Sequence, residues 1–190
     1  MNTRRWPGDG QGTEEKEPTG LPHGTVLGCA HGIPGFNNNY QNNSEAKSPS
    51  YDGSNFVDNL CTGMKWQCVE YARRYWMLTY GVVIPSVSWA AHIWSLPHIS
   101  RKSDHAIVPL EKFPNFGNVK PAVGDLLIYA STPNQRVGHV AVVVEVVSSN
   151  GVHSVRVAEQ NQENNVMWPG NYADELYGPF CYINNVSVFK

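Results

Sequence analysis

The sequence has no long apolar run and no cluster of basic residues. No stretch approaches the roughly 18 consecutive apolar residues that a membrane-spanning helix needs, so we expect no membrane partner. With no Lys/Arg-rich segment and a net charge of −2, nucleic acid is a poor candidate partner. Basic residues near the start are not followed by an apolar segment, which argues against a secretory signal and favours a cytoplasmic protein.

Cysteine is also scarce. Cys29, Cys61, Cys68 and Cys181 show no CxxC spacing, and no Cys/His cluster has the spacing of zinc ligands. We therefore expect free thiols, and neither a metal nor a cofactor. The chain of 190 residues is 41% apolar, which suits one globular domain. We predict a flexible polar tail over residues 1–20, a single domain over 21–190, and a monomer.

The hydrophobic period changes along the chain, from helical to strand-like. The segment MKWQCVEYARRYWMLTYG predicts a helix from about Lys65 to Tyr80 with Gly81 as its C-cap, and a weaker helix is predicted over 87–96. Before it, residues 23–63 are rich in Gly, Asn, Ser and Pro and are predicted to be loop. Later runs predict strands at 125–130, 139–147, 154–160 and 181–189. This order predicts an α+β fold with an antiparallel sheet.

Cys68 lies in the first turn of the predicted helix. Unpaired N–H groups and the positive end of the helix dipole favour an anion there, so the thiol could ionise near neutral pH and act as a nucleophile. Those N–H groups could also bind an oxyanion, and the neighbouring Gln67 offers a side-chain donor. The competing interpretations are a buried structural thiol for Cys68 and a solvent-facing helix residue for Gln67.

His139 and Glu159 are the candidate partners of this thiol. His139 follows Gly138 and opens an apolar strand, and an imidazole with an ordinary pKa of about 6.5 suits a general base. Glu159 ends a strand face that also carries Val155 and Val157, where a carboxylate is uncommon unless it is paired. The competing interpretation of His139 is a capping or solvent-facing histidine.

The turn between the two strands sets a condition on this pairing. The segment 148–151 predicts a hairpin turn centred midway between His139 and Glu159. A tight two-residue turn at Asn150-Gly151 would place the two side chains on opposite faces of the sheet. We therefore predict an odd-length loop or a β-bulge between them.

Four segments together resemble the CHAP amidohydrolase/peptidase family: KWQCVEYARRYW, PAVGDLLIY, GHVAVVVEVV and VRVAEQN. The likeness covers about His23 to Lys190 and is strongest to the amidase domain of glutathionylspermidine synthetase/amidase and trypanothione synthetase. It implies a papain-like (CHAP/NlpC-P60-like) fold in which a nucleophile-bearing helix packs on an antiparallel sheet. It also implies a catalytic triad of Cys68, His139 and Glu159, with no cofactor.

The resemblance further implies a small-molecule substrate, a conjugate in which the glycine of glutathione is joined to spermidine by an amide bond. Arg73 matches the family arginine that holds a glutathione carboxylate, and Asn161 matches a site asparagine. Gly138 completes the predicted oxyanion and substrate-binding set. For the cationic part of the substrate, Glu70, Asp104 and Asp125 are the acidic candidates.

Three other functions remain open. A peptidoglycan hydrolase of the same family would be expected to carry a secretion signal and often a basic wall-binding module. A non-catalytic CHAP-like binding module would be favoured by loss of the nucleophile, base or acid, yet all three residue types are present. An acyltransferase would use the same thiol chemistry, because an amine can replace water at the acyl-enzyme.

Overall fold

The computed structural model describes residues 20–39, 53–114, 117–149, 152–177 and 182–184. The predicted tail, apart from Gly20, and Cys181 lie outside these residues. Within the described ranges, no helix is long and apolar enough to cross a membrane.

Short strands make up most of the described chain, in a mixed α/β arrangement. In chain order the elements are β1 (Val26–Ala30), β2 (Ile33–Phe36), β3 (Ser54–Val57), β4 (Leu60–Met64), helix α1 (Cys68–Tyr80), β5 (Val82–Val83), a 3-10 helix (Ala90–Ser95), β6 (His98–Arg101), β7 (Ile107–Pro109), β8 (Glu111–Phe113), β9 (Leu126–Tyr129), β10 (His139–Ser149), β11 (Val152–Ala158), β12 (Asp174–Tyr177) and β13 (Tyr182–Asn184).

Helix α1 begins three residues later than predicted. Gln67 still has an extended backbone (φ −78°, ψ 158°), so Cys68 is the first helical residue and lies in the first turn, as predicted. The predicted end is confirmed, because Gly81 adopts the left-handed conformation (φ 65°, ψ 32°) and its N–H donates to the Met77 carbonyl. The second predicted helix is a shorter 3-10 segment over Ala90–Ser95.

One six-stranded antiparallel sheet supports the helix, in the order β12-β11-β10-β9-β13-β8. The face that packs with the helix carries Leu126, Ile128, Val140 and Val142. The opposite face carries a second cluster that includes Ala141 and Val143. The predicted antiparallel sheet is thus confirmed, and the strand at 126–129 is shorter than predicted. Of the predicted strand 181–189, the structure describes residues 182–184, which form a strand.

The prediction of loop over residues 23–63 is wrong at its described ends. β1 pairs with β2, and β3 pairs with β4, as two separate hairpins. Gly28 pairs with Gly35, and Cβ atoms at these positions would overlap the Trp168 ring, so the glycines make room for an indole from a distant segment. These two strands show no hydrophobic alternation, because glycines occupy the positions that contact Trp168.

The β10–β11 hairpin meets the condition set by the sequence. Ser149 pairs with Val152, which leaves two residues between the strands, and this pairing continues to Glu145 and Arg156. The register then shifts, so that Val143 pairs with Val157. This bulge changes the parity of the pairing, and beyond it His139 and Glu159 fall on the same face of the sheet.

Candidate active site

The start of α1 presents the Cys68 sulfur to the sheet. Cys68 is the first helical residue and its exposed fraction is 8%. The backbone N–H groups of Val69 and Val140 hydrogen-bond to the sulfur, and the His139 side chain does so as well. Val140 belongs to β10, so the position of the sulfur is defined by both the helix and the sheet.

His139 lies between the sulfur and a carboxylate. Its Nε2 is 2.7 Å from Glu159 Oε2, and the two side chains are almost fully buried. Because Nε2 is taken by Glu159, Nδ1 is the ring nitrogen that remains for the sulfur. A buried carboxylate at this distance fixes the ring orientation and stabilises a protonated imidazole. The three predicted side chains therefore lie in one hydrogen-bonded row.

The environment favours a thiolate beside an imidazolium. Burial by itself would raise the pKa of the Cys68 thiol, but the charge and hydrogen bond of His139 and the two backbone N–H groups lower it below its ordinary value. Burial likewise disfavours the charged imidazole, but Cys68 and Glu159 raise the pKa of His139 above its ordinary range. Each charge thus stabilises the other in a site that water barely reaches.

A cavity of about 440 Å³ opens onto this row. Of the predicted site residues, Glu159 is not among the residues that line it, because Glu159 lies behind His139. All the others line it: Gln67, Cys68, Arg73, Gly138, His139 and Asn161. The cavity also has an aromatic wall at Trp89, whose exposed fraction is 43%.

Gln67 and Asn161 are held together at the mouth of the helix. Asn161 Nδ2 donates to Gln67 Oε1 over 2.7 Å. This bond occupies the Gln67 carbonyl oxygen and leaves its amide N–H groups for another acceptor. Asn161 has a positive φ of 60°, a conformation that asparagine tolerates better than most residues. The predicted side-chain donor beside the thiol is thus a pair, with Asn161 orienting Gln67.

Arg73 is buried rather than exposed, with an exposed fraction of 9%. Its Nε donates to the Ile84 carbonyl over 2.9 Å, and its guanidinium also hydrogen-bonds to the Cys61 thiol. Cys61 lines the same cavity. The guanidinium therefore lies at the cavity wall, five residues along the helix from Cys68.

Gly138 is a backbone requirement of the site. It has a φ of 65°, and an added Cβ would overlap the Tyr129 carbonyl and come within 2.9 Å of the Ala91 Cβ. Only glycine lets the chain pass between these atoms as it enters β10. Gly138 thereby fixes the position of His139 at the start of β10.

The acidic candidates for a cationic ligand do not present carboxylates to the cavity. Glu70 lines the cavity but is fully buried and bonded to Arg74. Asp104 lies in an exposed turn and pairs with Arg101, while Asp125 is buried at the start of β9. None of the three presents a free carboxylate to the cavity. The physical reason is that each carboxylate already accepts a hydrogen bond from a nearby residue: Arg74, Arg101 and the Ala122 N–H, respectively.

Three polar residues are buried around the helix start: Glu70, Arg74 and Gln160. The sequence analysis gave no role to Arg74 and Gln160, and it named Glu70 only as a candidate for a cationic ligand. The sequence did contain a signal, since Glu70 and Arg74 are four residues apart on one helix face and could pair. Their burial could not be read from that spacing. Among the described residues, no group of three or more His, Cys, Asp or Glu side chains is arranged to hold a metal ion.

Comparison with known proteins places this site in a family. The CHAP domain model matches residues 59–161, more than half of the chain, and this match spans the helix and the hairpin that carry the row. The trypanothione synthetase of Crithidia fasciculata is 33% identical over 162 residues, which are 84% of this chain and 23% of that protein. The bifunctional glutathionylspermidine synthetase/amidase of Escherichia coli strain K12 is 36% identical over 146 residues, which are 74% of this chain and 22% of that protein.

The chain thus spans less than a quarter of the length of either relative. The family assignment rests on the domain match, whose boundaries enclose Cys68, His139 and Glu159. With its helix, antiparallel sheet and matched segment, the chain belongs to the CHAP domain family.

Proposed function

We propose that this chain is a cysteine-dependent amidase with a papain-like fold, which hydrolyses the amide bond of a glutathione–polyamine conjugate. The observation that carries the proposal is the buried row of Cys68, His139 and Glu159, with the sulfur at a helix start and facing a cavity. The names of two relatives, one a glutathionylspermidine synthetase/amidase, supply the substrate class.

The first half of the reaction forms an acyl-enzyme. The Cys68 thiolate adds to the amide carbonyl carbon, a C–S bond forms, and the carbonyl electron pair moves onto oxygen. Backbone N–H groups at the helix start and the Gln67 amide, oriented by Asn161, would stabilise this oxyanion. The C–N bond then breaks as the His139 imidazolium gives its proton to the departing amine, which leaves a thioester on Cys68.

The second half restores the enzyme. His139, now neutral, takes a proton from water as the water oxygen attacks the thioester carbon. The C–S bond breaks, the glutathione carboxylic acid is released, and the thiolate–imidazolium pair re-forms. Throughout, Glu159 keeps the ring in place and offsets its charge, because its Oε2 stays 2.7 Å from Nε2 in the resting site.

Arg73 supports a substrate that carries a carboxylate. Its guanidinium is at the cavity wall, and a planar fork of N–H donors suits a carboxylate better than an ammonium would. When the glycine carboxyl of glutathione is in amide linkage to a polyamine, one free carboxylate is left, on the γ-glutamyl residue. The γ-glutamyl carboxylate is therefore the group available to Arg73.

The test is hydrolysis of glutathionylspermidine, followed by mass spectrometry of the released glutathione and spermidine. We expect turnover by the wild-type chain and none by Cys68→Ala, because the substitution removes the nucleophile. Iodoacetamide should label Cys68 before the exposed thiols Cys29 and Cys61. Turnover of a muropeptide in place of glutathionylspermidine would instead support a peptidoglycan hydrolase.

A further inference from the structure

A buried polar cluster joins the nucleophile-bearing helix start to the strand end that carries the acid. Its members are Glu70, Arg74 and Gln160, whose exposed fractions are 0%, 4% and 1%. Gln160 directly follows Glu159, and Glu70 lies two residues after Cys68. Glu70 and Gln160 are therefore close in sequence to residues of the row, and Arg74 is connected to both through its side chain.

Glu70 is the centre of the cluster. Its Oε1 accepts hydrogen bonds from Asn55 Nδ2 at 2.9 Å, Thr62 Oγ1 at 3.0 Å and Arg74 Nε at 2.7 Å. Its Oε2 accepts from Arg74 Nη2 at 3.2 Å and Gln160 Nε2 at 3.0 Å. One carboxylate thus connects the β3–β4 hairpin, the helix and the strand end.

Gln160 completes the connection to the nucleophile. Its Oε1 accepts from the Phe36 N–H at 2.9 Å and from Arg74 Nη2 at 3.0 Å. Its Nε2 donates to Glu70 and also to the Gln67 carbonyl, at 3.3 Å, in the residue that precedes Cys68. Glu159 and Gln160 directly follow Ala158, the last residue of β11, and their side chains contact different parts of the site: Glu159 contacts His139, and Gln160 contacts the helix start.

The energetics favour a role in alignment over a role in stability. Burying an ion pair costs desolvation energy, and apolar residues of similar volume are often as stabilising in such a place. What a saturated network of directional bonds adds is a single defined geometry. Here the geometry that it fixes is the separation between the residue before Cys68 and the residue after Glu159.

We propose that Glu70, Arg74 and Gln160 act as positioning residues, which align the Cys68 sulfur with the His139–Glu159 pair and so set the rate of the chemical step rather than substrate binding. This inference rests on the proposed function for its kinetic readout. None of the three residues contacts the reacting atoms directly; they act through Gln67 and the strand end.

The main test is Gln160→Met, which keeps the side-chain volume and removes the bonds to Gln67, Glu70 and Phe36. We expect kcat for glutathionylspermidine to fall about 10- to 100-fold, as for a misplaced reacting group, with KM changed by less than about threefold. The pH midpoint of iodoacetamide labelling at Cys68 should rise by about one pH unit, because a looser alignment weakens the support of the thiolate by His139.

Two further variants make the test decisive. Ile99→Ala removes a buried side chain of β6 outside the cluster and controls for loss of stability; its kcat and labelling midpoint should match the wild type. Arg74→Lys keeps the charge but cannot reproduce the bonds of Arg74 to Glu70, Gln160 and Pro34, so an intermediate loss of kcat is expected. If Gln160→Met does not fold, Arg74→Lys decides by the same criteria.

Several results would overturn the proposal. The first is a Gln160→Met enzyme whose kcat is within about twofold, and whose labelling midpoint is within roughly 0.2 pH units, of the wild-type values. The second is a change in KM with no change in kcat, and the third is failure of both variants to fold. The labelling readout needs no substrate. If the wild-type chain does not hydrolyse glutathionylspermidine, the proposed function fails while the labelling profile still tests the alignment.

Discussion

The surroundings of Cys68 affect the ionisation of its thiol in two opposing ways. Burial opposes its ionisation, while the imidazole and two backbone N–H groups favour it, and the favourable contributions prevail. Burial also opposes the positive charge of the His139 imidazolium, while Cys68 and Glu159 favour that charge and prevail. The charged pair is therefore expected to exist between the lowered pKa of the thiol and the raised pKa of the imidazole.

Glu159→Gln tests this balance at the residue scale. The substitution keeps a hydrogen-bond acceptor near Nε2 but removes the negative charge that helps to raise the pKa of His139. The imidazolium should then be lost at lower pH, so the alkaline limb of the kcat/KM profile should move to lower pH. We also expect kcat to fall by about 10- to 100-fold.

The pH profile of glutathionylspermidine hydrolysis is the measurement. Glu163→Gln is the matched control, because Glu163 is exposed and lies four residues further along the chain. Its profile should coincide with that of the wild type. An alkaline limb that stays in place or moves to higher pH in Glu159→Gln would show that the carboxylate does not support the imidazolium.

At the scale of elements, the β10–β11 hairpin shows what the two-residue period of strands can predict and what it cannot. The sequence sets a parity condition on His139 and Glu159, and the bulge between Val143 and Glu145 meets it. The place of the bulge could not be predicted, because Val142, Val143 and Val144 are equally apolar and each is buried. The strand pattern therefore predicts that the hairpin contains a bulge or an odd-length loop, but it does not predict which residue forms the bulge.

The sequence was least informative where contacts are distant. The α1 helix and the β9–β11 strands carry clear local periods and were predicted. The β1–β2 hairpin was not, because Gly28 and Gly35 are there to accommodate Trp168, more than 130 residues away. The Glu70–Gln160 bond spans a similar distance, with 90 residues between its partners. Such residues have no local pattern that reveals their role.

Gly35→Ala tests the contact between this hairpin and Trp168. The added methyl group would overlap the indole ring, so the free energy of unfolding should fall by about 1–3 kcal/mol. In a Trp168→Leu background the ring is absent and the same change should cost much less, which a double-mutant cycle by chemical denaturation would measure. An equal cost in both backgrounds would mean that Trp168 is not what excludes the Cβ.

At the scale of the whole molecule, Asp125 links stability to pH. It lies at the junction of sheet and helix: the Asp125 carbonyl accepts the Val143 N–H, and the preceding Gly124 carbonyl accepts Trp76 Nε1. Burial raises the pKa of its carboxyl to about 7, although the Ala122 N–H opposes the shift. Among the described residues, its Oδ1 is buried with no hydrogen-bond partner.

The sign of the effect follows from proton binding. The folded protein holds this proton to about pH 7, whereas an unfolded chain releases it near a pKa of about 3.9. The corresponding stability is therefore fully present below about pH 4 and is lost as pH rises to about 7, by on the order of 4 kcal/mol at most. Asp125→Asn, which cannot ionise, should lose this slope and be more stable than the wild type at pH 8.

The measurement is the free energy of unfolding in urea at several values between pH 4 and pH 8, taken as the difference between variant and wild type. Using the difference cancels the contribution of the Cys68–His139 pair, which is present in both proteins. Glu111→Gln, an exposed residue of β8, should give a flat difference. A flat difference for Asp125→Asn as well would mean that the Asp125 carboxyl has the same pKa in the folded and unfolded protein, so that contacts within the folded chain offset its burial.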